Sequence, residues 1–200
     1  STLHPEFAFL PRKFKIAVTG ASRDRAAVKT HDIGLFMRKN DAGETGFEVV
    51  VGGGQGRTPV IAKTIRKFLA KHDMLSYLEA ILRVYNLLGR RDNIYKARIK
   101  ILVNETGIEK FTELVEEEWA RIRDGALKLP DAEIARIEDH FAPPAFEKLE
   151  DSADDFANDV ARDRDFALWV RANIHPHKTP GYAIVNISLK PIGGVPGDAT

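Results

Sequence analysis

Residues 52–56 read Gly-Gly-Gly-Gln-Gly, four glycines in five positions. Each glycine gives up more backbone freedom on folding than any other residue. Such a density belongs where the backbone turns tightly or approaches something closely. The run 45–51 ahead of it is apolar and rich in β-branched residues, as a strand is. Thr58 and Pro59 behind it suit the N-cap and first position of a helix. The stretch therefore predicts a strand, a loop and a helix over 60–70. Two readings stay open. It is a tight strand-to-helix turn, or its freed amides and a helix N-terminus cradle an anion. It is not a Walker A loop, because no lysine follows the last glycine, and no βαβ unit frames it as a dinucleotide fingerprint.

Arg12, Lys13 and Lys15 form the second constraint. The run 12–19 reads as a strand. Lys13 and Lys15 then share one face, about 7 Å apart, while Phe14 and Ile16 take the other. Two ammonium groups so placed repel unless solvent or an anion lies between them. The pattern fits a solvated strand end or an anion site.

The remaining pattern is mixed. Alternation over 32–38 and 45–51, separated by Asn40-Asp41-Ala42-Gly43, predicts a β-hairpin. Residues 59–123 read as helical. Asp73 is placed to cap a helix whose Leu75, Leu78, Leu82, Tyr85 and Leu88 recur at helical spacing until Gly89 stops it. A basic turn, 89–93, leads into a predicted helix over 94–103 carrying Lys96, Arg98 and Lys100. After Gly107, residues 108–122 form an amphipathic helix whose acidic run 116–118 reads as surface. A short helix over 132–141 is capped by Asp131. Residues 147–165 hold eight acids against three bases, the signature of a connector, anchored by Phe146, Leu149, Phe156, Phe166 and Trp169. Residues 174–180 read as loop, 182–190 as a lone strand and 191–200 as loop. The fold class expected is α+β, a mostly antiparallel sheet of three or more strands flanked by helices, with a helical connector.

Composition narrows function. Net charge is +1, which argues neither for a nucleic-acid binder nor for an acidic-tail protein, and no nucleic-acid partner is expected. No apolar run approaches the ~18 residues of a membrane span, and no signal peptide is expected. Cysteine is absent, so this chain itself holds no disulfide, zinc-thiolate or Fe–S site. That composition is compatible with the cytoplasm. His140, His175 and His177 match no strong metal spacing, and no metal ligand is assigned. No nucleophile elbow or acid/base pair stands out.

Taken in order, Leu10-Pro11-Arg12-Lys13-Phe14-Lys15, His31-Asp32-Ile33-Gly34, Gly46-Phe47, the run from Val51 to Thr58, Gly89-Arg90-Arg91-Asp92-Asn93 and Lys96-Ala97-Arg98-Ile99-Lys100 resemble the assimilatory sulfite/nitrite reductase hemoproteins. The resemblance covers about residues 3–120 in this numbering. It implies sirohaem bridged to a 4Fe–4S cluster, and six-electron reduction of sulfite or nitrite with a flavoprotein or ferredoxin as donor. By resemblance, Lys13 and Lys15 hold the anionic substrate and supply protons. Arg12, the glycines Gly52, Gly53 and Gly54, Gln55, Arg57, Thr58 and Arg98 then face the cofactor. The family's cluster cysteines have no counterpart here, so the chain is expected to be a fragment, inactive alone. Its expected parts are a sirohaem-site domain over 1–129, an acidic helical connector over 130–176 and, from His177, the start of a second ferredoxin-like half-domain over 177–200. The alternative is a non-redox module that binds anions or a tetrapyrrole.

Overall fold

The computed structural model describes residues 4–149 and 154–190; the predicted loop 191–200 lies outside them. The chain divides into two compact units, 1–140 and 141–200. The first is built on a four-stranded sheet in the order β1 (Ile16–Thr19), β2 (Ile33–Lys39), β3 (Thr45–Val51), β4 (Lys63–Ala70). β1 runs parallel to β2, and the other pairings are antiparallel. The predicted hairpin forms: Asn40 accepts the Ala42 and Glu44 amides on its side-chain oxygen, and Gly43 takes a positive φ of 81°. The α+β class stands, with a mostly antiparallel sheet.

Ile33, Leu35, Val49, Val51 and Leu69 turn one face toward the helices α1 (Met74–Leu88), α2 (Ile99–Thr106) and α3 (Ile108–Ile122). Tyr77, Ile81, Tyr85, Ile99, Phe111 and Val115 meet them there, each fully buried. Burial of side chains this large contributes about 1.5–3 kcal/mol each. The opposite face, with Ala17, Phe36 and Val50, is covered by Val28 and Ala62. Gly89 ends α1, as its position predicts. Asp73 stands at the N-cap of α1 without a side-chain cap bond.

Five local expectations are corrected. The segment after the glycines is a strand. Gly54 and Val60 exchange both backbone hydrogen bonds at 2.9 Å, which folds the chain back on itself, and β4 then pairs with β3. The sequence misleads because β4 is bulged twice: Val49 pairs with Arg66, but Phe47 with Leu69 and Val50 with Thr64. Each extra residue breaks period two and leaves Ile65, Phe68 and Leu69 at a helix-like spacing, while Ile61 lies ahead of the strand and is exposed.

The first strand also begins later than predicted, at Ile16, so residues 12–15 lie outside the ladder, with Arg12 in a bend. Over 94–103 there is a 3-10 turn, Ile94–Lys96, and then α2, with Arg98 at its N-cap. Lys96 and Lys100 therefore do not share a helix face. The acidic run 116–118 is only partly surface. Glu116 pairs with Arg66 and accepts the Tyr77 hydroxyl at 2.7 Å, and Glu118 pairs with Arg83 at 2.8 Å.

α4 (Asp131–His140) follows in the first unit. The second unit holds α5 (Asp154–Arg162), α6 (Arg164–Asn173) and the strands β5 (Ile174–Pro176) and β6 (Ala183–Val185). The predicted lone strand has a partner after all, because β6 pairs antiparallel with β5, inside the predicted loop. Asp163 caps α6, accepting the amides of Asp165 and Phe166, and Phe166 packs against Phe156 and Trp169. Among the described residues, no helix is long and apolar enough to cross a membrane.

Candidate functional site

Three segments far apart in sequence meet around a cavity of about 550 Å³ in the first unit: Arg12, Lys13 and Lys15; Gln55, Gly56, Arg57 and Thr58; and Tyr95, Lys96, Arg98, Lys100 and Ile101. Asp32, just before β2, completes the wall. Seven cationic side chains thus face one carboxylate. Like charges gathered this closely in a partly enclosed space favour any anion that enters.

The cations differ in how far they are committed. Arg12 donates to the Ile94 carbonyl at 2.8 Å. Arg98 gives Nε and Nη2 to Asp32, at 3.2 and 2.8 Å. Lys100, largely buried, donates to the carbonyls of Gln55 and Thr58 at 3.3 and 2.5 Å. Burial and the adjacent Arg98 guanidinium hold the Lys100 ammonium below the usual lysine range. Among the described residues, the side chains of Lys13, Lys15, Arg57 and Lys96 have no hydrogen-bond or ion-pair partner. Those four are free to meet a ligand. Phe14 between the two lysines packs against the main core, but Ile16, expected on the same side as Phe14, is exposed.

Of the residues singled out in the sequence, Arg12, Lys13, Lys15, Gln55, Arg57, Thr58 and Arg98 line this cavity together. Gly52, Gly53 and Gly54 do not; they are buried behind it. A Cβ on Gly54 would stand 2.9 Å from Lys100 Cδ and 3.0 Å from Arg98 Nη2, so glycine there leaves room for two of the cations. No helix N-terminus points into the cavity from the glycine loop, because β4 replaces the predicted helix. Arg90 and Arg91 are also not part of the wall. Arg90 pairs with Asp92, holding that carboxylate down at about 2, and Arg91 donates to the Asn86 side chain.

Asp32, Lys96 and Lys100 line the cavity without having been singled out as site residues. Tyr85, assigned to the core, is core and also a tie. Its hydroxyl lies 2.6 Å from the Ala97 carbonyl and 3.0 Å from the Arg12 carbonyl, joining two walls from below. Burial pushes the Tyr85 hydroxyl up to about 12 from 10.0. A phenol that resists ionisation in the fold but ionises when unfolded makes stability fall as pH rises. That contribution is complete below pH 10 and is lost between 10 and about 12. Tyr85→Phe is expected to cost about 1–2 kcal/mol at neutral pH by removing the one hydroxyl donor that lies between the two carbonyls. It should also flatten the loss of stability between pH 10 and 12, as urea unfolding at several pH values would read.

The description "Nitrite and sulphite reductase 4Fe-4S domain" belongs to a family model that matches residues 1–122. A sulfite reductase (ferredoxin) of Synechococcus elongatus is 39% identical over 129 residues, covering 61% of this chain and 21% of that protein. A ferredoxin–nitrite reductase of Leptolyngbya laminosa is 34% identical over 116 residues, covering 58% of the chain and 22% of the relative. The solved NirA protein of Mycobacterium tuberculosis superposes with a TM-score of 0.54 at 29% identity, over 58% of this chain and 21% of that one. The chain spans about a fifth of the length of these relatives. Over most of its length, and over the whole of the cavity, this chain belongs to the nitrite and sulphite reductase 4Fe-4S domain family.

Proposed function

We propose that the chain supplies the cationic wall of the pocket in a sirohaem-dependent reductase that takes sulfite or nitrite through six electrons. The observation that carries this reading is the convergence of seven cations on one cavity, four of whose side chains have no partner among the described residues. Sirohaem is a macrocycle with many carboxylates, and ammonium and guanidinium groups are its fitting donors. Arg57, with Gln55, Thr58, Arg12 and Arg98 beside it, is placed to face those carboxylates. Sirohaem, when bound, supplies the iron at which the anion is reduced.

Lys13 and Lys15 hold the anion. Each oxygen lost from sulfite or nitrite departs as water and needs two protons, and ammonium groups beside the anion stabilise its charge and hand protons to the departing oxygens. Gly52, Gly53 and Gly54 act from behind, by letting the loop 55–58 sit close. The residues present do not fit a 4Fe–4S cluster, since the chain has no cysteine; its thiolates must come from elsewhere in the protein, and the chain alone is not a catalyst. Electrons arrive from ferredoxin or a flavoprotein.

The test is made on the protein produced from the gene that carries this sequence. The reading expects sirohaem absorbance and consumption of reduced donor with sulfite or nitrite, and assaying both anions separates the two substrates. A purified protein with neither sirohaem nor reductase activity would leave the non-redox anion- or tetrapyrrole-binding module in its place.

A further inference from the structure

Among the cavity's lining residues, Asp32 is the only acid, and it is 1% exposed. Its two oxygens serve different walls. Oδ2 accepts the Lys15 backbone amide at 3.1 Å, and Oδ1 accepts Arg98 Nε and Nη2. The Lys15 carbonyl meanwhile accepts the amide of Ile33, the residue after Asp32, at 3.1 Å. Lys15 lies just outside β1, where no strand partner takes its N–H. The carboxylate takes that place and extends the β1–β2 ladder by one bond. Arg98, pinned on the same carboxylate, points its remaining nitrogen at the Gln55 carbonyl, 3.4 Å away.

From this geometry we propose that Asp32 is the positioning residue of the anion pocket, fixing the backbone that presents Lys15 and the guanidinium of Arg98 in one frame. The proposal rests on the reading that the cavity takes an anion. A purely electrostatic role is separable by sign. Replacing the sole carboxylate by an amide adds one positive charge to a cationic cavity, which by itself tightens anion binding. Loss of positioning weakens it. An amide has one acceptor oxygen where the carboxylate has two, so it cannot serve both the Lys15 N–H and the Arg98 fork, and it offers that fork no counter-charge.

The experiment titrates the sirohaem-loaded protein produced from the gene that carries this sequence with sodium sulfite by calorimetry, with the Lys15 amide followed by hydrogen exchange. Asp32→Asn is expected to weaken sulfite binding about tenfold and to expose the Lys15 amide to exchange. Arg98→Lys keeps the charge but cannot reproduce the forked contact; it should weaken binding about threefold. The double variant should be no weaker than Asp32→Asn, because both act on one contact. Unchanged or tighter binding by folded Asp32→Asn, or additive losses in the double variant, would overturn the proposal. Should Asp32→Asn not fold, unsubstituted affinity in Arg98→Lys overturns it. An unsubstituted chain that takes up no sulfite at all sinks the anion reading of the cavity, and the proposal with it.

Discussion

Lys15→Ala is expected to lower turnover of the cofactor-loaded reductase by about a hundredfold or more, the scale on which one pre-organised donor to a developing oxyanion acts. Three observations set that expectation. The Lys15 ammonium lines the cavity. Among the described residues its side chain has no partner. Its backbone is held on both sides, by Asp32 and by Ile33, so the charge is delivered to a fixed place. Since Asp32 holds the main chain, truncating the side chain is expected to leave the wall standing and, on the proposed function, sirohaem bound. Steady-state turnover per bound sirohaem, read from its absorbance, measures the effect. A fall in kcat marks a group that acts as bonds to oxygen break, and a rise in KM alone marks one that only holds the substrate. Lys13→Ala should behave in the same direction, and loss of sirohaem in both variants would contradict the assignment.

Gly53→Ala is expected to destabilise the first unit by roughly 3 kcal/mol, the upper end for forcing atoms into a packed site. A Cβ there would stand 2.4 Å from the Lys29 carbonyl oxygen and 2.5 Å from that of His31. Neither is the free end of a side chain, and the Lys29 carbonyl is already engaged by the Ala62 amide at 2.8 Å. The backbone itself must shift, and the loop 55–58 shifts with it. Gly56→Ala is the control. Its Cβ meets nothing within 4 Å, but its φ is 107°, so it should cost only about 1–2 kcal/mol of backbone strain. Urea midpoints at unchanged slope would order the two. The reverse order would show that the loop glycines serve turning rather than close packing.

The glycine run also shows how far the sequence could be read. Its density marked a place of close approach, and that is what Gly53 and Gly54 provide. The partners lie in residues 29, 31, 98 and 100, distances along the chain that no local pattern encodes. The hairpin at 40–43 was legible because its turn chemistry is local, and α1 and α3 because their apolar stripes are long. β4 was misread because two bulges imitate a helical spacing within a run only eight residues long. The lysine pair was legible by its charge, and the ordered motifs gave it a role by resemblance. Asp32 was not assigned a role, because a single acid before an apolar run looks like any strand entry. Its function depends on a guanidinium 66 residues away.

The walls of the cavity are tied by contacts spanning 82 residues from Arg12 to Ile94, 66 from Asp32 to Arg98 and 45 from Gln55 to Lys100. Closing such long loops carries an entropic cost that is met only when the sheet and helices form together. No excised peptide around the lysines can therefore inherit the site, and the motif cannot be transplanted onto another scaffold as a short insert. The same arithmetic runs in reverse. A polyanion seated in the cavity acts as a staple across most of the domain's length, binding only the assembled state and shifting the whole folding equilibrium toward it.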